Sequence, residues 1–107
     1  MPHPRLQLPV TRPLAEQLRV IGSPTRLSLL YLVAQGPGRT LTELLTEAGL
    51  SPRDEGGDRQ AMMRYLDDMA RAGLVRVTYR GRAKVFHYAP EGLRALCHEL
   101  CATVEGQ

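Results

Sequence analysis

Apolar positions recur at helical spacing in five stretches of the chain, and at every second position in a pair of stretches between the fourth and fifth. Leu14, Leu18 and Ile21 share one face of a short first helix that Gly22 stops. In "SPTRLSLLYLVAQG", Ser23 is an N-cap and Pro24 takes the first helical position, where its missing N–H costs nothing. Leu27, Leu30, Tyr31 and Ala34 predict the inward face of this second helix, and Gly36 and Pro37 end it. "TLTELLTEAGL" predicts a third helix. Thr40 and Glu43 have capping-box spacing, Leu41, Leu44, Leu45 and Ala48 form an i, i+3, i+4, i+7 stripe, and Gly49 is a stop.

A polar, glycine-containing run from Pro52 to Gln60 precedes the fourth helix, expected from Ala61 to Ala72 with Asp58 as its cap. Met62, Leu66, Met69 and Ala70 face inward, and Gly73 ends it. "VRVTYRGRAKVFHYA" then changes the period from 3.6 to 2. Val75, Val77 and Tyr79 alternate with Arg76 and Thr78; Lys84, Phe86 and Tyr88 alternate with Val85 and His87; Gly81 marks the turn of a β-hairpin. Pro90 opens a last helix to about Val104, with Leu93, Leu96, Cys97, Leu100, Cys101 and Val104 on one continuous stripe. So long a stripe on the closing element of a small protein predicts packing against a second subunit.

The order is α-α-α-α-β-β-α, mainly helical with one hairpin, and it predicts a winged helix-turn-helix. Residues 1–13, with prolines at positions 2, 4, 9 and 13, are expected to be a flexible arm, and 14–107 the folded domain. A fourth helix of this size fits a DNA major groove with its first turns at the base edges, and a basic hairpin beside it can hold phosphate or a minor groove.

Charge sharpens this picture. The net charge is +3, but Arg76, Arg80, Arg82 and Lys84 form a block with no acid between them, whereas the stretch from Val85 to Gln107 sets Arg94 against Glu91, Glu99 and Glu105. A one-sided basic patch suits a polyanion. Thirteen of the 14 basic residues are Arg, which suits bidentate recognition and equally a GC-rich coding bias, so it decides little. No apolar run approaches the roughly 18 residues of a membrane helix, the N-terminus lacks an apolar signal core, and two cysteines cannot build a disulfide scaffold. These features predict a cytoplasmic protein without membrane association.

In this order and spacing, "IGSPTRLSLLYLV", "TLTELLTEAGLS" and "AMMRYLDDMARAGLVRVTYRGRAKVFHYA", followed by the terminal amphipathic helix, resemble the ArsR-like transcriptional regulators from residue 14 onward. The resemblance implies a homodimer built on the first and last helices, binding an imperfect palindrome of double-stranded DNA as a repressor. It also implies that many relatives release DNA on metal binding or thiol chemistry. The chain departs from the family in three places. Nine residues, Pro52 to Gln60, stand where the family has a couple; Met63 and Tyr65 stand where it often has Ser and His; and acids stand at Asp67 and Asp68.

Candidate sites follow. Arg59, Gln60, Met63 and Arg64 occupy the first turns of the fourth helix; Arg can pair with guanine and Gln with adenine. Arg80, Arg82 and Lys84 are the wing's phosphate contacts. Leu14, Leu18, Leu93, Leu96, Cys97, Leu100, Cys101 and Val104 are the expected dimer interface. Cys97 and Cys101, at i, i+4, invite a thiol-sensor reading, weighed against simple packing, since a free cysteine is a small hydrophobe. His98 points about a quarter-turn away, the third helix has no cysteine, and His3 and His87 lack convergent partners, so no metal or cofactor is expected. "EGGD" can cradle phosphate only weakly without a preceding strand or a Lys. No catalytic constellation stands out, so an enzyme is not expected. The sequence names no inducer. The second reading, from another class, is a winged helix used for protein contact, which the polar run, Met63 and the two aspartates favour.

Overall fold

The computed structural model describes residues 10–49 and 58–106. Its elements are α1 (Arg12–Ile21), α2 (Pro24–Ala34), α3 (Leu41–Glu47), α4 (Asp58–Arg71), β1 (Val75–Arg80), β2 (Ala83–Tyr88) and α5 (Pro90–Glu105). This is the predicted order. The two strands form one antiparallel hairpin in register Val75↔Tyr88 through Arg80↔Ala83. Gly81, at φ +64°, takes the first position of the two-residue connection, the place where a II′ turn requires glycine.

α1 starts two residues before Leu14. The Thr11 hydroxyl accepts from the Leu14 N–H at 3.2 Å, and Pro13 sits in the first turn, where no backbone donor is needed. The rest of the expected arm, residues 1–9, lies outside the described residues. Gln17 donates from Nε2 to the Ala72 carbonyl at 2.9 Å, which ties α1 to the end of α4.

α2 corrects the pattern. Leu29, Leu30 and Val33 are its buried residues, while Leu27 is 53% exposed and Tyr31 62% exposed. The helix is apolar nearly all round, so spacing alone leaves two faces open. The core takes the face that meets α4 and β2. α3 follows its prediction closely. The capping box closes with Thr40 Oγ1 accepting from the Glu43 N–H at 3.2 Å and Glu43 Oε1 accepting from the Thr40 N–H at 2.8 Å. Leu41, Leu44 and Leu45 are buried, but Ala48, the C-cap of the helix, is exposed.

α4 begins at Asp58, three residues before Ala61, so Asp58, Arg59 and Gln60 belong to its first turn. Asp58 therefore opens the helix instead of preceding it. The remainder of the inserted run, Pro52 to Gly57, lies outside the described residues. Leu66 and Met69 are fully buried, and Met62 and Ala70 pack against the same core from its edge. In β2 the expected alternation is incomplete: Phe86 is buried in the main core, and Val85 is buried on the strand's other face, outside that cluster. The wing is also tied to the body, because Arg39 and Phe86 exchange backbone hydrogen bonds at 3.2 and 2.9 Å.

α5 is seated by close backbone approach. A Cβ on Gly92 would lie 1.8 Å from the Gly73 carbonyl oxygen, so any other residue there would drive α5 away from the end of α4. Its single apolar stripe resolves into two lines. Leu93, Leu96 and Leu100 turn toward the core, with Leu96 fully buried; Cys97, Cys101 and Val104 turn outward, and Val104 is 75% exposed.

Candidate nucleic-acid interface

α3, α4 and the hairpin are joined by contacts between their side chains. In the first turns of α4, Gln60 and Arg64 are exposed. Arg59 is half-buried and donates from Nη2 to the Thr42 hydroxyl at 2.8 Å, which pins the start of α4 to the first turn of α3. Met63, expected on the outward face, is half-buried and packs against the core. An unbranched, polarisable side chain serves as filler there. Tyr65 is also half-buried; the Arg26 guanidinium lies over its ring, 4.7 Å from the centroid.

The wing is basic but not uniformly available. Arg80 Nη1 donates to both oxygens of Glu43, at 3.2 and 3.3 Å. Lys84 Nζ donates to Asp67 Oδ1 at 3.0 Å. Arg76, at the base of the hairpin, lies 3.4 Å from Glu91. Arg82 is exposed in the turn and has no acidic partner among the described residues. Two acids of α4 are likewise occupied, Asp67 by Lys84 and Asp68 by Arg71 of the following turn. Glu43 is held below the ordinary carboxylate range, first by the Thr40 N–H and further by Arg80. Glu16 is lowered in the same direction by its hydrogen bond from Arg19.

The remaining candidates separate. Of the expected dimer interface, Leu14 and Leu96 are 1% and 2% exposed in the chain's own core and present nothing outward, and Leu18, Leu93 and Leu100 line its edge. Cys97, Cys101 and Val104 are exposed, so neither cysteine packs inside the chain. His98 is exposed beside them, and no group of three or more His, Cys, Asp or Glu placed to hold a metal occurs among the described residues. His87 is half-buried on the wing, with Nε2 2.7 Å from the Thr78 hydroxyl. His3 lies outside the described residues. No helix among them is long and apolar enough to cross a membrane.

Three features of the fold carry no signal in the sequence. Glu43 is accounted for locally by its capping box, and its second partner lies 37 residues away on the wing. Asp67 reads along the chain only as a charge unfavourable to phosphate. Leu27 and Tyr31, at core spacing, line instead a shallow apolar groove of about 270 Å³ with Leu30, Ala34, Tyr88 and Leu93.

No family model and no curated protein sequence matches the chain. Solved structures do. A structure described as a possible transcriptional regulator for arsenical resistance is 30% identical, over 80% of this chain and 84% of that one, with a TM-score of 0.60. An ArsR-like transcriptional regulator from Rhodococcus sp. RHA1 is 22% identical over 82% of this chain and 76% of its own, with a TM-score of 0.66. The homodimeric winged helix-turn-helix DNA-binding domain of a possible ArsR-family regulator from Mycobacterium bovis is 20% identical over 87% and 80%, with a TM-score of 0.60. With a winged helix-turn-helix fold and a 30% identical relative matched over most of both chains, the chain belongs to the ArsR-like winged helix-turn-helix transcriptional regulators.

Proposed function

We propose that the protein is a homodimeric repressor that binds an imperfect palindrome in double-stranded DNA. The observation that carries this reading is an exposed Gln60–Arg64 edge on α4 together with an exposed Arg82 at the turn of a hairpin that Lys84 ties to Asp67 of the same helix. In this arrangement α4 enters the major groove, Gln60 and Arg64 read base edges, Arg59 steadies the first turn, and the wing follows the phosphates. Homodimerisation uses the outward line of α5, Cys97, Cys101 and Val104, with the adjoining surface of α1; two copies place two reading helices on two half-sites.

The test is an electrophoretic shift titration on the promoter of the protein's own gene, set beside random duplex, at low and high salt. The reading expects tight, salt-sensitive binding to the promoter and weaker binding to random duplex. Salt-insensitive retention, or none, overturns it. Val104→Asp is expected to turn the dimer into a monomer in sedimentation and to weaken promoter binding with the fold intact.

A second reading, a winged helix used for protein contact, is favoured by one specific observation: two of the three wing cations are already paired with acids. The same titration separates the two, because a protein-contact module holds neither duplex.

A further inference from the structure

We infer that Glu43 and Asp67 are intramolecular stand-ins for DNA phosphate, occupying Arg80 and Lys84 so that the wing engages a duplex only by exchanging one anion for another. The inference rests on the DNA-binding reading and concerns what sets the selectivity of that surface.

The two acids come from different elements and converge on the same hairpin. Glu43 stands in the first turn of α3 and reaches Arg80 at the end of β1; Asp67 stands in the middle of α4 and reaches Lys84 near the start of β2. Glu43 needs no ordering to do this, because its carboxylate is already fixed by the Thr40 N–H at 2.8 Å. Asp67 and Lys84 are the more sheltered pair, with side chains 29% and 37% exposed against 44% and 60% for Glu43 and Arg80. Salt screens such a partly covered pair less than one in open water. Arg82, between them in the turn, has no acid among the described residues, so the device covers two of the three wing cations.

The consequence follows from counterion release. A cation that neutralises a phosphate frees a condensed counterion from the duplex, and this entropy supplies sequence-independent affinity. A cation that must first leave a carboxylate uncovers a negative charge beside the duplex, which draws cations back and offsets part of that release. Arg80 and Lys84 then orient the wing on the duplex but add less affinity for arbitrary DNA. Discrimination is left to Gln60 and Arg64, and the ratio of specific to non-specific binding rises. An ion pair of this exposure opposes the exchange by about two- to fivefold in an equilibrium constant.

Three full-length variants test this by fluorescence anisotropy on the promoter and on random duplex across a salt series. Glu43→Gln keeps the acceptor that closes the capping box and removes only the charge. Asp67→Asn does the same on α4. Glu91→Gln is the control: it raises the net charge equally but frees Arg76 at the hairpin base, away from the tip. The expected result is random-duplex binding tighter by about two- to fivefold for each of the first two variants, with a salt slope steeper by up to about 0.9 per protomer and a lower specificity ratio. Glu91→Gln changes neither slope nor ratio. Equal or weaker random-duplex binding by both Glu43→Gln and Asp67→Asn overturns the inference, as does an identical gain by Glu91→Gln, which would make net charge the cause. These outcomes leave the DNA-binding reading standing; a wild-type protein that holds no duplex at any salt overturns that reading and the inference with it.

Discussion

α4 and the hairpin are tied together by Lys84 and Asp67, and they carry their charge differently: α4 sets three Arg against three Asp, and the hairpin holds cations alone. On α4, Gln60 and Arg64 stand exposed, while the acids Asp67 and Asp68 are taken up by Lys84 and Arg71. On the wing, the sequence block Arg76, Arg80, Arg82 and Lys84 contains no acid, yet three of the four face a carboxylate supplied by another element. A count of cations along the chain therefore overstates both elements, since Arg71 of α4 is paired as three of the four hairpin cations are. What meets a polyanion is the charge left over after the fold has paired its own groups, and that quantity exists only in three dimensions.

The largest expected effect removes the support that both elements share. Phe86 is 1% exposed, lies in the core shared with α2 and α4, and its backbone bridges to Arg39. Phe86→Ala should cost about 3–5 kcal/mol in denaturant unfolding, through reduced burial and a residual cavity. If the loss is under about 1 kcal/mol, the wing is not anchored to the core in this way. The next effect sets the two elements apart. Arg64→Ala with Gln60→Ala should reduce discrimination between promoter and random duplex by about 1–3 kcal/mol for each base that the helix no longer reads. Arg82→Ala should instead weaken all duplexes alike and flatten the salt slope by about 0.9 per protomer. A loss of discrimination from Arg82→Ala and not from the helix variant would reverse the assignment. Arg80→Ala should flatten the slope less than Arg82→Ala, because its cation already has Glu43.

How much of this is legible in the sequence depends on the range of the interactions. The capping box of α3, the Ser23–Pro24 start of α2 and the Gly81 turn are set by neighbours within a few residues, and each is readable from spacing. α1 begins earlier than its apolar spacing predicts because a single hydroxyl, Thr11, caps it across Pro13. α2 and α5 depart from their predicted faces for a common reason. Both carry more apolar residues than one face can bury, and periodicity does not say which line meets the core; that choice puts Tyr31 and Val104 outside and Leu29 and Leu96 inside. The candidate site is legible in its elements and not in its pairing. Glu43–Arg80 and Asp67–Lys84 span 37 and 17 residues, and no local rule couples positions so far apart.

The smallest expected effect is a pH dependence, and its sign is fixed by Glu43. The Thr40 N–H and then Arg80 hold its carboxyl below the ordinary Glu value of about 4.3, so the folded state binds this proton less readily than the unfolded chain. The contribution is fully present above that ordinary value and is lost as pH falls through the depressed one. Glu16, lowered by Arg19, acts in the same direction. Thermal melts from pH 6 downward should therefore show stability falling below about pH 4.3, and Glu43→Gln, which has no proton to take up, should flatten that acid limb while Glu16→Gln flattens it independently. Arg80→Ala should flatten it only in part, because the Thr40 N–H, the larger of the two causes, remains. An acid limb flattened as much by Arg80→Ala as by Glu43→Gln would show that the wing cation, and not the helix cap, governs this carboxylate.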